Sequence, residues 1–146
     1  MRLLILNGVN LNLTGTRSPE IYGGETLEDI NREIAAYAAE RGAVCDFLQT
    51  NFEGECVEAI HNSVGVYDGI VLNAGAWTHY SYAIHDAVEG VSTPVVETHM
   101  SDITKREPFR AHSVLTDVCT ATVMGLGKGS YFKAVEILTN LAHDVR

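Results

Sequence analysis

Cysteine is scarce and unpatterned: Cys45, Cys56 and Cys119 form an odd set with no CxxC spacing. That excludes a disulfide framework and offers no zinc-ligand spacing. The expected environment is that of small buried hydrophobes in a reducing cytoplasm. Positive charge is also short, with 10 Lys+Arg against 19 Asp+Glu and a net charge of −9, which argues against nucleic acid or an anionic membrane as a partner. No apolar run approaches the roughly 18–20 residues of a membrane span. The stretch Met1-Arg2-Leu3-Leu4-Ile5-Leu6-Asn7 has an apolar centre far too short for a signal peptide and reads as a buried strand. Internal repeats, low-complexity segments and linkers are absent. What is there is 146 residues, 46% hydrophobic and 20% charged, ordinary for one globular domain over 1–146 and long enough to bury a core.

Apolar runs alternate with helical patterns. Residues 2–6 read as a strand, and 26–41 as a helix with Leu27, Ile30, Ile34, Tyr37 and Ala38 at 3–4 spacing and Gly42 as its stop. Thr26 with Asp29 resembles a capping box. Strands are expected at 43–49, 67–73, 93–98 and 119–124, and helices at 55–63, 81–88 and 130–142. Five βα units of this kind imply a parallel sheet with helices on both faces, a three-layer α/β domain. The expected strand order is the flavodoxin-like 2-1-3-4-5, with the ligand outside the carboxyl ends of the strands.

The polar motifs fall at those ends. After strand one comes Asn7-Gly8-Val9-Asn10-Leu11-Asn12. One asparagine at a turn is unremarked, whereas three at a strand end point to a site. After strand three, Asn73 and His79 are placed to meet a ligand, with Trp77 equally suited to packing and Asp86 on the following helix. After strand four, Glu97 and His99 lie two apart and so share a face. A carboxylate beside an imidazole fixes the ring's tautomer and favours its charged form, which prepares a general acid. Arg106 and Arg110, four apart, would share one face of a helical turn. With Arg17 they are three of the seven arginines, enough for a local focus of positive charge in an acidic chain.

The stretch Arg17-Ser18-Pro19-Glu20-Ile21-Tyr22-Gly23-Gly24 lies within a connection far longer than the usual 2–6 residues of an α/β loop. It reads as a hinged lid carrying chemistry. A tyrosine is a poor base near pKa 10, but close positive charge favours the phenolate. Other motifs carry less. Thr14-Gly15-Thr16 hints at a flavin-phosphate loop without a helix starting at once. Gly125-Leu126-Gly127-Lys128-Gly129-Ser130 lacks both the Walker spacing and a complete GxGxxG, and reads as a turn that packs the closing helix. His61, His112 and His143 have no metal-ligand spacing.

Taken together, Asn7-Gly-Val-Asn10-Leu-Asn12-Leu, Gly15-Thr-Arg17-Ser-Pro-Glu-Ile-Tyr22-Gly, Leu72-Asn73-Ala-Gly75, Thr78-His79, Glu97-Thr-His99-Met-Ser101, Arg106-Glu-Pro-Phe-Arg110 and Gly125-Leu-Gly127 resemble the type II 3-dehydroquinate dehydratases over essentially the whole chain. The resemblance implies a flavodoxin-like subunit that assembles into trimers and then a homododecamer. It also implies anti elimination of water from 3-dehydroquinate to 3-dehydroshikimate through an enolate, without cofactor or metal, in aromatic biosynthesis or quinate catabolism. Carried over, Tyr22 would be the proton acceptor, with Arg17 stabilising phenolate and enolate and Arg106 a second charge near Tyr22. His99, oriented by Glu97, would protonate the departing hydroxyl, and Asn10 would hold a water against the enolate oxygen. Asn73, Met100 and Ser101 would meet the substrate carboxylate. His79, Arg110 and Asp86 would meet the ring hydroxyls, Asp86 reaching in from a neighbouring subunit. The chain departs from the family pattern at Val9, His85, Thr98 and Asp102, none of them a catalytic group. A flavodoxin-like binding module, or a catalytically silent relative, is the alternative.

Overall fold

The computed structural model describes residues 1–16, 19–22 and 24–144, without side-chain placement for Ile21 and Tyr22. Five strands, β1 (Arg2–Asn7), β2 (Val44–Gln49), β3 (Gly69–Asn73), β4 (Val95–His99) and β5 (Ala121–Met124), form one parallel sheet in the order β2-β1-β3-β4-β5. They alternate with α1 (Pro19–Tyr22), α2 (Leu27–Ala39), α3 (Glu53–His61), α4 (Tyr82–Glu89) and α5 (Gly129–Asp144). This is the expected α/β fold and strand order.

The first strand explains the layering. Successive side chains point to opposite faces of a strand. Leu3 and Ile5 therefore join Ile30 and Ile34 of α2 and Tyr131 and Val135 of α5 in one core. Leu4 and Leu6 meet Ile60 of α3 and Ile84 of α4 in the other. A strand buried on both faces needs a continuous apolar run, and each such side chain contributes about 1.5–3 kcal/mol on leaving water. Burial also pushes the Cys56 and Cys119 thiols up to about 12 and Cys45 to about 11, so these cysteines serve as hydrophobes rather than nucleophiles.

Element ends follow local chemistry. Thr26 Oγ1 accepts from the Asp29 N–H at 3.2 Å while Asp29 Oδ2 accepts from the Thr26 N–H at 3.0 Å, a complete capping box for α2. The helix stops at Ala39 rather than Arg41, because Gly42 turns left-handed at φ 76° and the Ala43 N–H returns to the Ala38 carbonyl at 2.9 Å. Strand β4 begins at Val95 instead of residue 93, since Pro94 has no N–H for the ladder. Strand β3 begins at Gly69 instead of 67, because the Tyr67 N–H is spent on the Ser63 carbonyl at 2.9 Å. Strand β5 starts two residues later than the pattern suggests, the Cys119 N–H being folded back to Leu115 O at 3.1 Å.

All five strands end at one edge, where Asn7 and Asn73 are register partners. The loops leaving β1 and β3 touch there. A Cβ on Gly8 would stand 2.6 Å from the Ala74 carbonyl oxygen, and one on Gly75, at φ 61°, 2.7 Å from the Val9 carbonyl oxygen. Only glycine permits both the approach and the left-handed turn.

Candidate active site

Strand β4 is buried along its whole length, yet carries a carboxylate at its centre. Glu97 has no exposed surface, and an unpartnered buried charge would be prohibitive. Its partners are complete. Oε2 accepts from His99 Nε2 at 2.6 Å, Ser113 Oγ at 2.5 Å and Thr78 Oγ1 at 3.3 Å, while Oε1 accepts from Thr116 Oγ1 at 2.7 Å and Thr122 Oγ1 at 3.1 Å. Burial alone would raise the acid's pKa, but the His99 imidazole and the Ser113 and Thr116 hydroxyls outweigh it and hold Glu97 at about 2. The carboxylate is thus ionised, and it orients the ring of His99, which is itself nearly buried. Because Nε2 donates to Glu97, Nδ1 is the nitrogen left for the cavity that His99 lines.

That cavity, about 190 Å³ at the carboxyl edge of the sheet, brings Asn10, Asn73, His79, Met100, Ser101, Arg106 and Arg110 around His99. Asn10 sits left-handed at φ 67°, a conformation asparagine tolerates, and its N–H donates to Asn51 Oδ1 at 2.8 Å. His79 Nδ1 donates to the His112 carbonyl at 2.8 Å, so a neutral ring offers Nε2 as an acceptor. Asn73 Oδ1 accepts from the Gly75 N–H at 3.2 Å and its Nδ2 donates to Tyr131 Oη at 2.9 Å.

The two arginines reach the cavity differently from expectation. They do not share a helical turn: Ile103–Lys105 and Pro108–Arg110 are separate 3₁₀ turns, and Arg106 between them is extended at φ −94°, ψ −169°. Pro108 is the cause, since the residue before a proline is driven out of the helical region and Glu107 lies at φ −56°, ψ 150°. Arg110 lies over the Phe109 ring, 4.5 Å from its centroid, with Nε 2.9 Å from Glu107 Oε2 but its N–H not aimed at the carboxylate. Asp102 is not among the residues lining the cavity. Its Oδ1 accepts from Thr104 Oγ1 at 2.5 Å and the Thr104 N–H at 3.0 Å, and these bonds, the hydroxyl's first, lower its pKa.

Some expected residues are not brought together. Asp86 is exposed on α4, away from the cavity, with Oδ1 2.8 Å from His85 Nδ1. Arg17 and the side chain of Tyr22 lie outside the described residues. Trp77 is a core residue. The Thr14 and Thr16 hydroxyls donate to the Leu11 and Leu13 carbonyls at 2.7 and 2.9 Å, so neither hydroxyl proton is free for a phosphate. Among the described residues, His85, Asp86 and Glu89 are the one group with metal-ligand proximity. They lie together on the surface of α4, with His85 Nδ1 2.8 Å from Asp86 Oδ1 and 3.8 Å from Glu89 Oε2.

Sequence reasoning missed Ser113, Thr116 and Thr122, and the bond that Thr78 makes, the four hydroxyls that donate to the Glu97 carboxylate. The one available signal was that a carboxylate inside an apolar strand must find donors. A larger depression, about 780 Å³, opens at the opposite, amino edge of the sheet. Its charged lining residues are Asp68, Glu89 and Asp117, so it is unsuited to an anion. Positive groups line the smaller cavity instead.

The family model for class II dehydroquinases matches residues 1–139. The 3-dehydroquinate dehydratase of Prochlorococcus marinus (strain NATL1A) is 52% identical over 136 residues, covering 93% of this chain and 94% of that protein. That of Leptothrix cholodnii is 45% identical over 147 residues, covering 100% and 99%. The crystal structure of the type II dehydroquinase from Butyrivibrio crossotus DSM 2876 superposes with a TM-score of 0.91 at 39% identity, covering 94% and 97% of the two chains.

Proposed function

The chain belongs to the class II dehydroquinase family, and from that premise we propose that it removes water from 3-dehydroquinate by anti elimination, giving 3-dehydroshikimate. The observation that carries the reading is the buried Glu97–His99 pair, joined at 2.6 Å, facing a cavity lined by Arg106 and Arg110. Tyr22, as phenolate, takes a C2 proton, and the electron pair left behind becomes an enolate. Arg17 stabilises both charges, with Arg106 a second cation nearby, and Asn10 holds a water against the enolate oxygen. The enolate collapses, the C1–O bond breaks, and His99 gives the leaving hydroxyl the proton that makes it water. Each proton transfer is worth roughly 10²–10⁴-fold.

Binding follows from the same cavity. Asn73, Met100 and Ser101 take the substrate carboxylate, and His79 and Arg110 the ring hydroxyls. Asp86, exposed on its own subunit, reaches a neighbour's site in an assembly of trimers grouped as a homododecamer. The reaction serves aromatic biosynthesis or quinate breakdown in the cytoplasm. Incubating the purified protein with 3-dehydroquinate should produce the ultraviolet absorbance of a conjugated enone. Well-folded protein that yields no such signal would overturn the proposal.

A further inference from the structure

Among the described residues Tyr131 is the largest fully buried side chain, and the reaction does not use its hydroxyl. We infer that Tyr131 is a positioning residue that fixes which way the Asn73 amide faces the cavity. This rests on the reading of Asn73 as a ligand of the substrate carboxylate.

The argument is one of proton counting. The Gly75 N–H can only donate, and its partner at 3.2 Å is Asn73 Oδ1. This sets the amide's oxygen, so its nitrogen faces Tyr131 Oη, to which it donates at 2.9 Å. The hydroxyl's single proton goes onward to Asn7 Oδ1 at 2.6 Å, and burial holds the phenol well above its ordinary pKa, so that proton stays in place. A backbone N–H at one end thus orients the whole chain from Gly75 through Asn73 and Tyr131 to Asn7. An asparagine amide has two N–H donors. One is committed to Tyr131, and the other is the donor Asn73 can turn to an anion in the cavity it lines. Without the hydroxyl the amide loses one of its two anchors. It can then rotate and present its oxygen to a carboxylate, which repels it.

The test is Tyr131→Phe, read as separate KM and kcat with 3-dehydroquinate. KM should rise about tenfold, the worth of one well-placed bond to a charge, while kcat changes less than about twofold, as loss of uniform binding requires. Ser63→Ala removes another fully buried hydroxyl, bonded to Ile60 O at 2.6 Å and Thr93 Oγ1 at 2.8 Å at the far edge of the sheet; it should lower stability and leave KM alone. Asn73→Ala separates the two layers of the argument. If it raises KM while Tyr131→Phe does not, the positioning role is wrong and the Asn73 assignment stands. If Asn73→Ala itself has wild-type KM, the assignment fails and takes the inference with it. Should Tyr131→Phe not fold, the wild-type Asn73 side-chain amide decides by nuclear magnetic resonance. One of its protons should exchange slowly and stay unshifted when a carboxylate inhibitor binds, while the other shifts. Two equally fast protons would overturn the inference.

Discussion

Glu97 Oε2 accepts a 2.6 Å hydrogen bond from His99 Nε2 inside a strand with no exposed residue, and four hydroxyls from three other segments close around the same carboxylate. A charge buried this deeply exists to orient a neighbour. Replacing it tests whether His99 depends on it. Glu97→Gln keeps the volume and removes the charge, and kcat should fall about 10²-fold, the lower bound for a group in acid–base work, with KM little changed. Glu97→Ala strands the donors as well and should cost about 3–5 kcal/mol of stability, measured by urea unfolding.

The pH dependence of stability has a definite sign. The folded value of Glu97, about 2, lies below its ordinary 4.5, so ionisation stabilises the fold above about pH 4.5 and that contribution is lost as pH falls toward 2. The difference amounts to about 3 kcal/mol. Unfolding free energies of wild type and Glu97→Gln should therefore converge as the pH is lowered from 6 to 3. Parallel curves would show that the carboxylate is not held ionised.

One hydroxyl can be removed without touching the cavity. Thr116 Oγ1 bonds Glu97 Oε1 at 2.7 Å and Thr116 does not line the cavity. Thr116→Val should cost about 1 kcal/mol and, by removing a bond that lowers the Glu97 pKa, make the Glu97 contribution to stability fade at a higher pH than in wild type, while leaving KM unchanged.

Gly75→Ala puts a Cβ 2.7 Å from the Val9 carbonyl oxygen at a left-handed φ of 61°. Stability should drop by about 1–3 kcal/mol, and KM should rise, because the same backbone N–H orients Asn73. A thermal melt with a Michaelis series checks both.

Much of this was legible in the sequence, and the limits are physical. The continuous apolar run of β1 and the 3–4 spacing of α2 encode the sheet and one covering helix locally, and Thr26 with Asp29 fixes where that helix starts. The Glu97–His99 pair was legible because a strand repeats every two residues. Arg106 and Arg110 were misread as a helical pair because four-residue spacing outweighed Pro108. The hydroxyls around Glu97 were out of reach, since Thr78 and Thr122 lie 19 and 25 residues from it along the chain, and no local pattern records that separation. Tyr131 was visible as a helix residue, but its bonds to Asn73 and Asn7 span 58 and 124 residues.

The division of labour between Tyr22 and His99 is the central claim, and isotope exchange measures it most directly. Each variant is incubated with 3-dehydroquinate in D2O, and proton resonances report loss of the C2 hydrogen separately from formation of the enone. His99→Ala should still exchange the C2 hydrogen for deuterium while dehydration falls by roughly 10²–10⁴-fold, and Tyr22→Phe should lose both. Exchange that survives in Tyr22→Phe, or vanishes in folded His99→Ala, would contradict the assignment of base and acid.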